Sequence, residues 1–319
     1  MSSKPPRRDV PFVRNHYKRG LPSFNLEMSQ NLGSGWGNYF KLAALFGLLS
    51  GLLVGLGYVI GGIDTAWYFL ALALGLNFLF YFFGDRLVIG ATRTKMVSKE
   101  QAPELYATVE KVAQEAGIPT PKVGIVESQQ PNAFATGRGP GNATVVVTTG
   151  LMKVMDQSEV EAVLGHELSH VVHRDTLIMT IAVSIATAIS YLANMIMYSL
   201  FWGGGRDREG GGSSAAMMGA ALIAPIAATM IQLAISRSRE YSADESSARL
   251  TKKPLSLAGA LAKIDSYVKS GARLNAQPTT SSLWIMNPFR NSGILELFST
   301  HPSTQNRIRR LEGLAQTIS

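Results

Sequence analysis

The segment Ala162-Val-Leu-Gly-His166-Glu167-Leu-Ser-His170-Val-Val carries two histidines four residues apart. On a helix that spacing stacks two side chains on one face, so both imidazoles can bind one metal ion. Glu167 is displaced around the helix, where a carboxylate can act as general base on an attacking water. Imidazole ligands beside such a base suit metal-assisted hydrolysis, and zinc is the ion they favour. A five-residue pattern of this kind also occurs by chance, so its flanks matter. Ala162, Val163, Leu164 and Val171 are apolar, and Gly165 and Ser169 are small enough to leave space. Two solvated histidines on a surface helix would not need such flanks.

A catalytic zinc takes three protein ligands and keeps one position open. His173 lies seven residues after His166, but three ligands on one straight helix give poor tetrahedral geometry, so it reads as an outer partner of the ligands or a bystander. Position 176, another place for a third histidine, is Thr176. Glu240, in Arg237-Ser-Arg239-Glu240-Tyr-Ser-Ala-Asp244, is the better candidate. His170 just precedes one long uncharged stretch and Glu240 just follows the next. A membrane hairpin between them would return Glu240 to the same side at a similar depth. Asp244 falls one helical turn further on, where it can hydrogen-bond the second nitrogen of a ligand histidine. The chain has no cysteine, which excludes thiolate metal sites, a disulfide scaffold and a cysteine nucleophile.

The elements that must position these groups are largely apolar. Of the 319 residues, 46% are hydrophobic and only 16% charged, which excludes an intrinsically disordered chain. No charge falls between Lys41 and Asp64, between Asp64 and Asp85, in Leu177–Gly205 or in Gly210–Ser236. A spanning helix needs about 20 apolar residues. The sequence therefore predicts four transmembrane helices, near 42–62, 66–83, 177–200 and 215–235, the last kinked at Pro225. Trp36, Tyr39, Trp67, Tyr68 and Trp202 sit near the expected ends, where amphipathic rings favour the interface. Seven Lys and Arg residues precede the first span, while the turn after it carries only Asp64. The positive-inside rule then makes the N-terminus cytoplasmic, with 85–176 and 237–319 on the same side. Topology thus accounts for the net charge of +8, and no nucleic-acid partner is needed.

Residues 1–40 read as a basic, mostly disordered tail, 41–84 as a first membrane hairpin and 177–236 as a second. Residues 85–176 and 237–319 form the two parts of a cytoplasmic α+β domain. In its first part Ser98 with Gln101 predicts a capping box opening a helix that stops at Gly117. Strands follow at Lys122–Glu127, Asn132–Gly137 and Thr144–Thr149, with a turn over Arg138–Asn142. Gly137-x-Gly139-x-Gly141 within that turn is no nucleotide loop, because no helix opens after it. Ser158 with Glu161 predicts a second capping box, starting the helix that carries His166 and His170. Further helices are expected over Ala258–Lys269 and Pro302–Ala315.

Taken together, the four spans, Asn132-Ala-Phe-Ala-Thr-Gly137, His166–His170, Arg239–Asp244 and His301-Pro302 resemble the HtpX-like membrane zinc metalloproteases, relatives of the CAAX prenyl proteases. The resemblance covers roughly residues 40–315 and implies a mainly α integral membrane protein bearing a zincin-type domain. It implies one Zn2+ per chain on His166, His170 and Glu240, with Glu167 catalytic. It also implies that Asn132, Ala133, Phe134, Ala135 and Thr136 border the cleft and pair with an extended substrate. His301 and Arg307 match positions that stabilise the oxyanion in related proteases. The basic tail is longer than the family pattern leads one to expect.

The expected function is that of an endopeptidase of the cytoplasmic (inner) membrane, acting on polypeptides, chiefly misfolded membrane proteins. A processing protease for a single membrane or lipidated substrate is the narrower alternative. A membrane metal-binding protein without turnover is the alternative of another class. A transporter fits least, since the spans carry no ionisable residue to mark a pathway.

Overall fold

The computed structural model describes residues 33–202, 237–270, 283, 285 and 303–318. The first element, α1 (Gly33–Ala91), is two helical arms meeting at a break. Gly61 and Gly62 leave the helical region there, and Gly62 takes φ 69°, ψ −157°, a conformation open to a residue without a side chain. The arms, Gly37–Val59 and Gly61–Ala91, are 23 and 31 residues long and apolar enough to cross a membrane. They pack on each other through Gly57, where an added Cβ would lie 2.7 Å from the Phe69 ring, and through an Asn77 Nδ2 to Ser50 Oγ hydrogen bond of 3.0 Å. Leu56, Tyr58, Val59, Trp67, Tyr68, Leu74 and Phe78 are exposed, an apolar surface suited to lipid.

These arms cover the two expected spans, with the reversal at the glycine pair just ahead of Asp64. α1 already begins at Gly33, inside the segment expected to be a tail. The rest of that tail and the stretch expected to be a fourth span, near 215–235, lie outside the described residues.

A four-stranded sheet follows, in the order β1 (Lys95–Val97), β2 (Lys122–Val126), β4 (Ala143–Thr148), β3 (Ala133–Gly137). β2 and β4 are parallel; the other two pairings are antiparallel. Helix α2 (Pro103–Glu115) connects β1 to β2. It opens on Pro103 rather than on the expected capping box, and Ser98 with Gln101 closes a turn ahead of it. β4 is buried at every position because the sheet is covered on both faces. Ala133, Ala135, Val145 and Val147 join the core with Val123, Leu164 and Leu168. Phe134 and Val146, on the opposite face, pack with Val88, Val183 and Leu283. The sheet therefore sits between the helices of the domain and the apolar arms.

After the short α3 (Thr149–Val154), helix α4 (Gln157–Val172) carries the histidine pair. Its capping box is Asp156 with Glu159, two residues ahead of the expected Ser158 and Glu161. Asp156 wins the cap because its carboxylate accepts from Glu159 N at 2.9 Å while Glu159 returns the bond. Glu161 instead pairs with Lys111 and Lys253, at 2.8 and 2.9 Å, tying α4 to its neighbours.

Helix α5 (Asp175–Trp202) leaves α4 at an 88° bend and covers the expected third span. Ile178, Ile181 and Ile185 pack on Leu45, Leu49 and Phe80 of α1. The remaining helices are α6 (Arg237–Thr251), α7 (Pro254–Lys269) and α8 (Thr304–Ile318). α6 lies along α4, close enough that a Cβ on Gly165 would stand 2.8 Å from Ser247 Oγ and from Thr251 Cγ2. Ser247 Oγ donates to the Ala162 carbonyl at 2.7 Å and fixes the register of the two helices.

Candidate metal centre

His166 and His170 project from α4 toward α6, and Glu240 in the first turn of α6 meets them. The ligand atoms of the three side chains all lie within 4.8 Å of one another. His166 Nε2 is 3.7 Å from Glu240 Oε2, and His170 Nε2 is 3.6 Å from Glu240 Oε1. Both rings thus turn the same nitrogen to one carboxylate. Their Nδ1 atoms face other carboxylates: Asp244 at 3.0 Å from His166, and Asp175 at 3.3 Å from His170. That division suits a divalent ion on the Nε2 side, since a ligand histidine usually gives its second nitrogen to a carboxylate or carbonyl.

The charges point the same way. Burial alone would lower the pKa of His170, but Asp175, Glu240 and Glu167 raise it to about 9. Several carboxylates drawing positive charge to one imidazole make a place where a metal cation competes with a proton. Two imidazoles and a carboxylate, convergent and largely shielded from water, fit a metal of the zinc type.

Glu167 stands beside this group without joining it. Burial pushes its carboxyl up to about 8, the Glu240 charge adding to the rise, while His170, Arg307 and the Ala135 N–H oppose it. A carboxyl poised near neutrality can both take and return a proton.

Arg307, from α8, is 1% exposed and lies deep in the cluster. Its Nε donates to Asp244 Oδ2 at 2.8 Å and its Nη2 to Asp244 Oδ1 at 2.6 Å. Its Nη1 is 3.4 Å from both Glu240 Oε2 and the Ile285 carbonyl. Burial raises the pKa of Asp244, yet the Arg307 guanidinium and His166 beside it hold the carboxyl below the usual range. Of the two residues expected at the oxyanion, Arg307 therefore has its donors engaged within the cluster. His301 lies outside the described residues.

The residues expected to border the cleft are buried through their side chains. Asn132 accepts from the Ile285 N–H at 2.9 Å through its Oδ1, Ala133, Phe134 and Ala135 pack into the cores on the two faces of the sheet, and the Thr136 hydroxyl hydrogen-bonds that of Thr180 at 2.9 Å. What β3 offers is its backbone. The Asn132 carbonyl accepts from Thr148 N at 2.9 Å, whereas Gly137 N turns away from β4 to Thr180 Oγ1 at 3.1 Å. By the alternation of an antiparallel ladder, Ala133 and Ala135 direct their polar backbone groups away from β4, toward the side of Glu167.

His173 caps the end of α4, and its carbonyl accepts from Asn38 Nδ2 at 3.2 Å. The residue that sequence reasoning missed is Asp175. Nothing in the spacing of the histidine pair points to it, because it reaches His170 across the bend between α4 and α5.

Residues 99–315 match the peptidase family M48. The chain belongs to peptidase family M48. Two relatives, each a "Protease HtpX homolog", are 48% identical to this M48 chain. That of Pyrococcus furiosus matches over 284 residues, 89% of this chain and 98% of its own. That of Aquifex aeolicus matches over 276 residues, 84% of this chain and 90% of its own. The crystal structure of S. mikatae Ste24p is similar with a TM-score of 0.47 at 21% identity, covering 90% of this chain and 67% of that one. The M48 chain is a metalloprotease, and its two apolar arms make it a membrane protein.

Proposed function

We propose that this M48 chain is a zinc endopeptidase of the cytoplasmic membrane that degrades misfolded or damaged membrane proteins. His166, His170 and Glu240 hold one zinc ion, and Glu167 is the general base. The observation that carries the reading is the shared orientation of the two Nε2 atoms toward Glu240, at 3.7 and 3.6 Å, with Glu167 beside them on the same helix.

Bound there, zinc would polarise the scissile carbonyl and make a water acidic enough to lose its proton near neutral pH. Glu167, beside the histidines on the same helix, takes that proton and returns it to the leaving amine. An extended substrate pairs with β3 through the outward backbone groups of Ala133 and the outward carbonyl of Ala135, whose N–H faces Glu167, and this holds the scissile bond in register over α4. His301 is the proposed donor to the developing oxyanion. Asp244 and Asp175 keep the two imidazoles turned to the ion, and Arg307 keeps Asp244 in place.

The third span is α5, and a fourth over 215–235 returns the chain to Glu240. The excess of Lys and Arg before α1 puts the N-terminus and the protease domain in the cytoplasm. A site at that depth meets polypeptides that emerge from, or collapse onto, the bilayer surface.

The test is metal dependence in the purified full-length protein. Chelation should abolish cleavage of an unfolded model protein, and zinc should restore it. Glu240→Ala should lose both the zinc and the cleavage. Retention of stoichiometric zinc by Glu240→Ala would overturn the ligand assignment.

A further inference from the structure

Asp175 opens α5 and is 8% exposed, and three side-chain nitrogens from three elements converge on it. His170 Nδ1 on α4 lies 3.3 Å from its Oδ2. Arg239 Nη1 on α6 donates to its Oδ1 at 3.1 Å, and Asn38 Nδ2 on α1 donates to the same oxygen at 3.4 Å. The Asn38 amide also reaches the His173 carbonyl at 3.2 Å, at the end of α4. Between α4 and α5, Arg174 sits at φ 60°, a left-handed conformation costly for a residue with a side chain. That sharp corner turns Asp175 back beneath His170.

An acid in the first turn of a helix needs no special role, because it answers the helix dipole and can pair with a neighbouring arginine. Two features go beyond that. One oxygen of Asp175 faces the ring nitrogen of His170 that does not face Glu240. The arginine on its other oxygen, Arg239, directly precedes Glu240 in the chain. The arrangement repeats on the other side of the cluster, where Asp244 joins His166 to Arg307.

We propose that Asp175 is a positioning residue of the metal centre: it holds the His170 ring with Nε2 toward the metal, and Asn38 ties this hold to the start of the first apolar helix. The proposal rests on His170 and Glu240 as metal ligands. The metal site and the first membrane arm then form one mechanical unit, because a shift of α1 at Asn38 is passed to His170 through a single carboxylate.

The experiment uses full-length protein in detergent and compares wild type, Asp175→Asn, Asp175→Ala and Asn38→Ala. Zinc affinity is read by competition with a chromophoric chelator, thermal unfolding is read without metal, and kcat and KM are separated on an unfolded protein substrate. Loss of an outer-shell partner weakens metal binding by about 10–100-fold. Asp175→Ala should show a loss of that order, Asp175→Asn a smaller one because it keeps an acceptor for His170, and Asn38→Ala the least. Activity at saturating zinc should fall through kcat with KM little changed. Wild-type zinc affinity in both Asp175 variants, with only the metal-free unfolding temperature lowered, would overturn the proposal and leave Asp175 as a helix-start residue. Zinc bound as tightly by Glu240→Ala as by wild type would remove the ligand assignment instead, and this proposal with it.

Discussion

Arg307 grips Asp244 through two parallel hydrogen bonds of 2.8 and 2.6 Å, and Asp244 stands 3.0 Å from His166 Nδ1. The last helix, α8, is thereby joined to the helix that bears the histidines, through a pair that is almost wholly shielded from water. A guanidinium presents two parallel donors that an ammonium cannot match. Arg307→Lys should therefore weaken zinc retention by about 10-fold or more, close to the loss from Arg307→Ala. Equilibrium dialysis against a graded chelator measures this. Unchanged retention in Arg307→Lys would mean that charge alone, without the fork, suffices.

The approach of α6 to α4 gives a second prediction. Any side chain at Gly165 meets Ser247 and Thr251, at 2.8 Å for the first carbon alone. Gly165→Val should push α6 outward and carry Glu240 from the histidines. Overpacking of this kind costs about 1–3 kcal/mol. Thermal unfolding should fall accordingly, and zinc affinity should fall with it. Gly165→Ala should lie between, and equal unfolding temperatures for all three proteins would contradict the packing.

Metal uptake should release protons. His170 is held up to about 9 by the carboxylates around it, so below that pH an incoming ion displaces a proton from the ring. Zinc affinity should rise with pH through the neutral range and level off once the free site has lost that proton. Proton release on zinc addition in weakly buffered solution reads this directly. In Asp175→Asn, which lacks one of the raising charges, the plateau should come at lower pH.

Acid should loosen the fold at Glu161. Burial raises its carboxyl, but Lys111 and Lys253 outweigh that and hold it below the ordinary range. A depressed carboxyl stabilises the folded chain above its unfolded pKa, and the contribution is lost as pH falls through its folded value. Unfolding of wild type should steepen in acid, and Glu161→Gln should flatten that dependence while lowering stability at neutral pH.

The parts of the site written in local spacing were legible in the sequence. His166 and His170 share a face because they are four residues apart, and Asp244 follows Glu240 by the same interval. The return of Glu240 to the histidines followed from the apolar stretches between them, without any contact being visible. Asp175 was not legible, since its link to His170 depends on the corner at Arg174 and on donors from α1 and α6. The cap of α4 was misplaced because Ser158–Glu161 and Asp156–Glu159 carry the same signal. Only packing decides between them, drawing Glu161 away to two lysines. The end of the first arm was set by Gly61 and Gly62 rather than by the charge at Asp64, as backbone freedom turns a helix where a lone surface charge does not.

The most direct test of the account is cleavage of an unfolded protein by zinc-loaded wild type and by Glu167→Gln, with zinc content measured in both. Removing a general base costs about 10²–10⁴-fold in rate. The variant should hold its full complement of zinc, with cleavage reduced by that order. A variant that holds zinc and cleaves at the wild-type rate would contradict it.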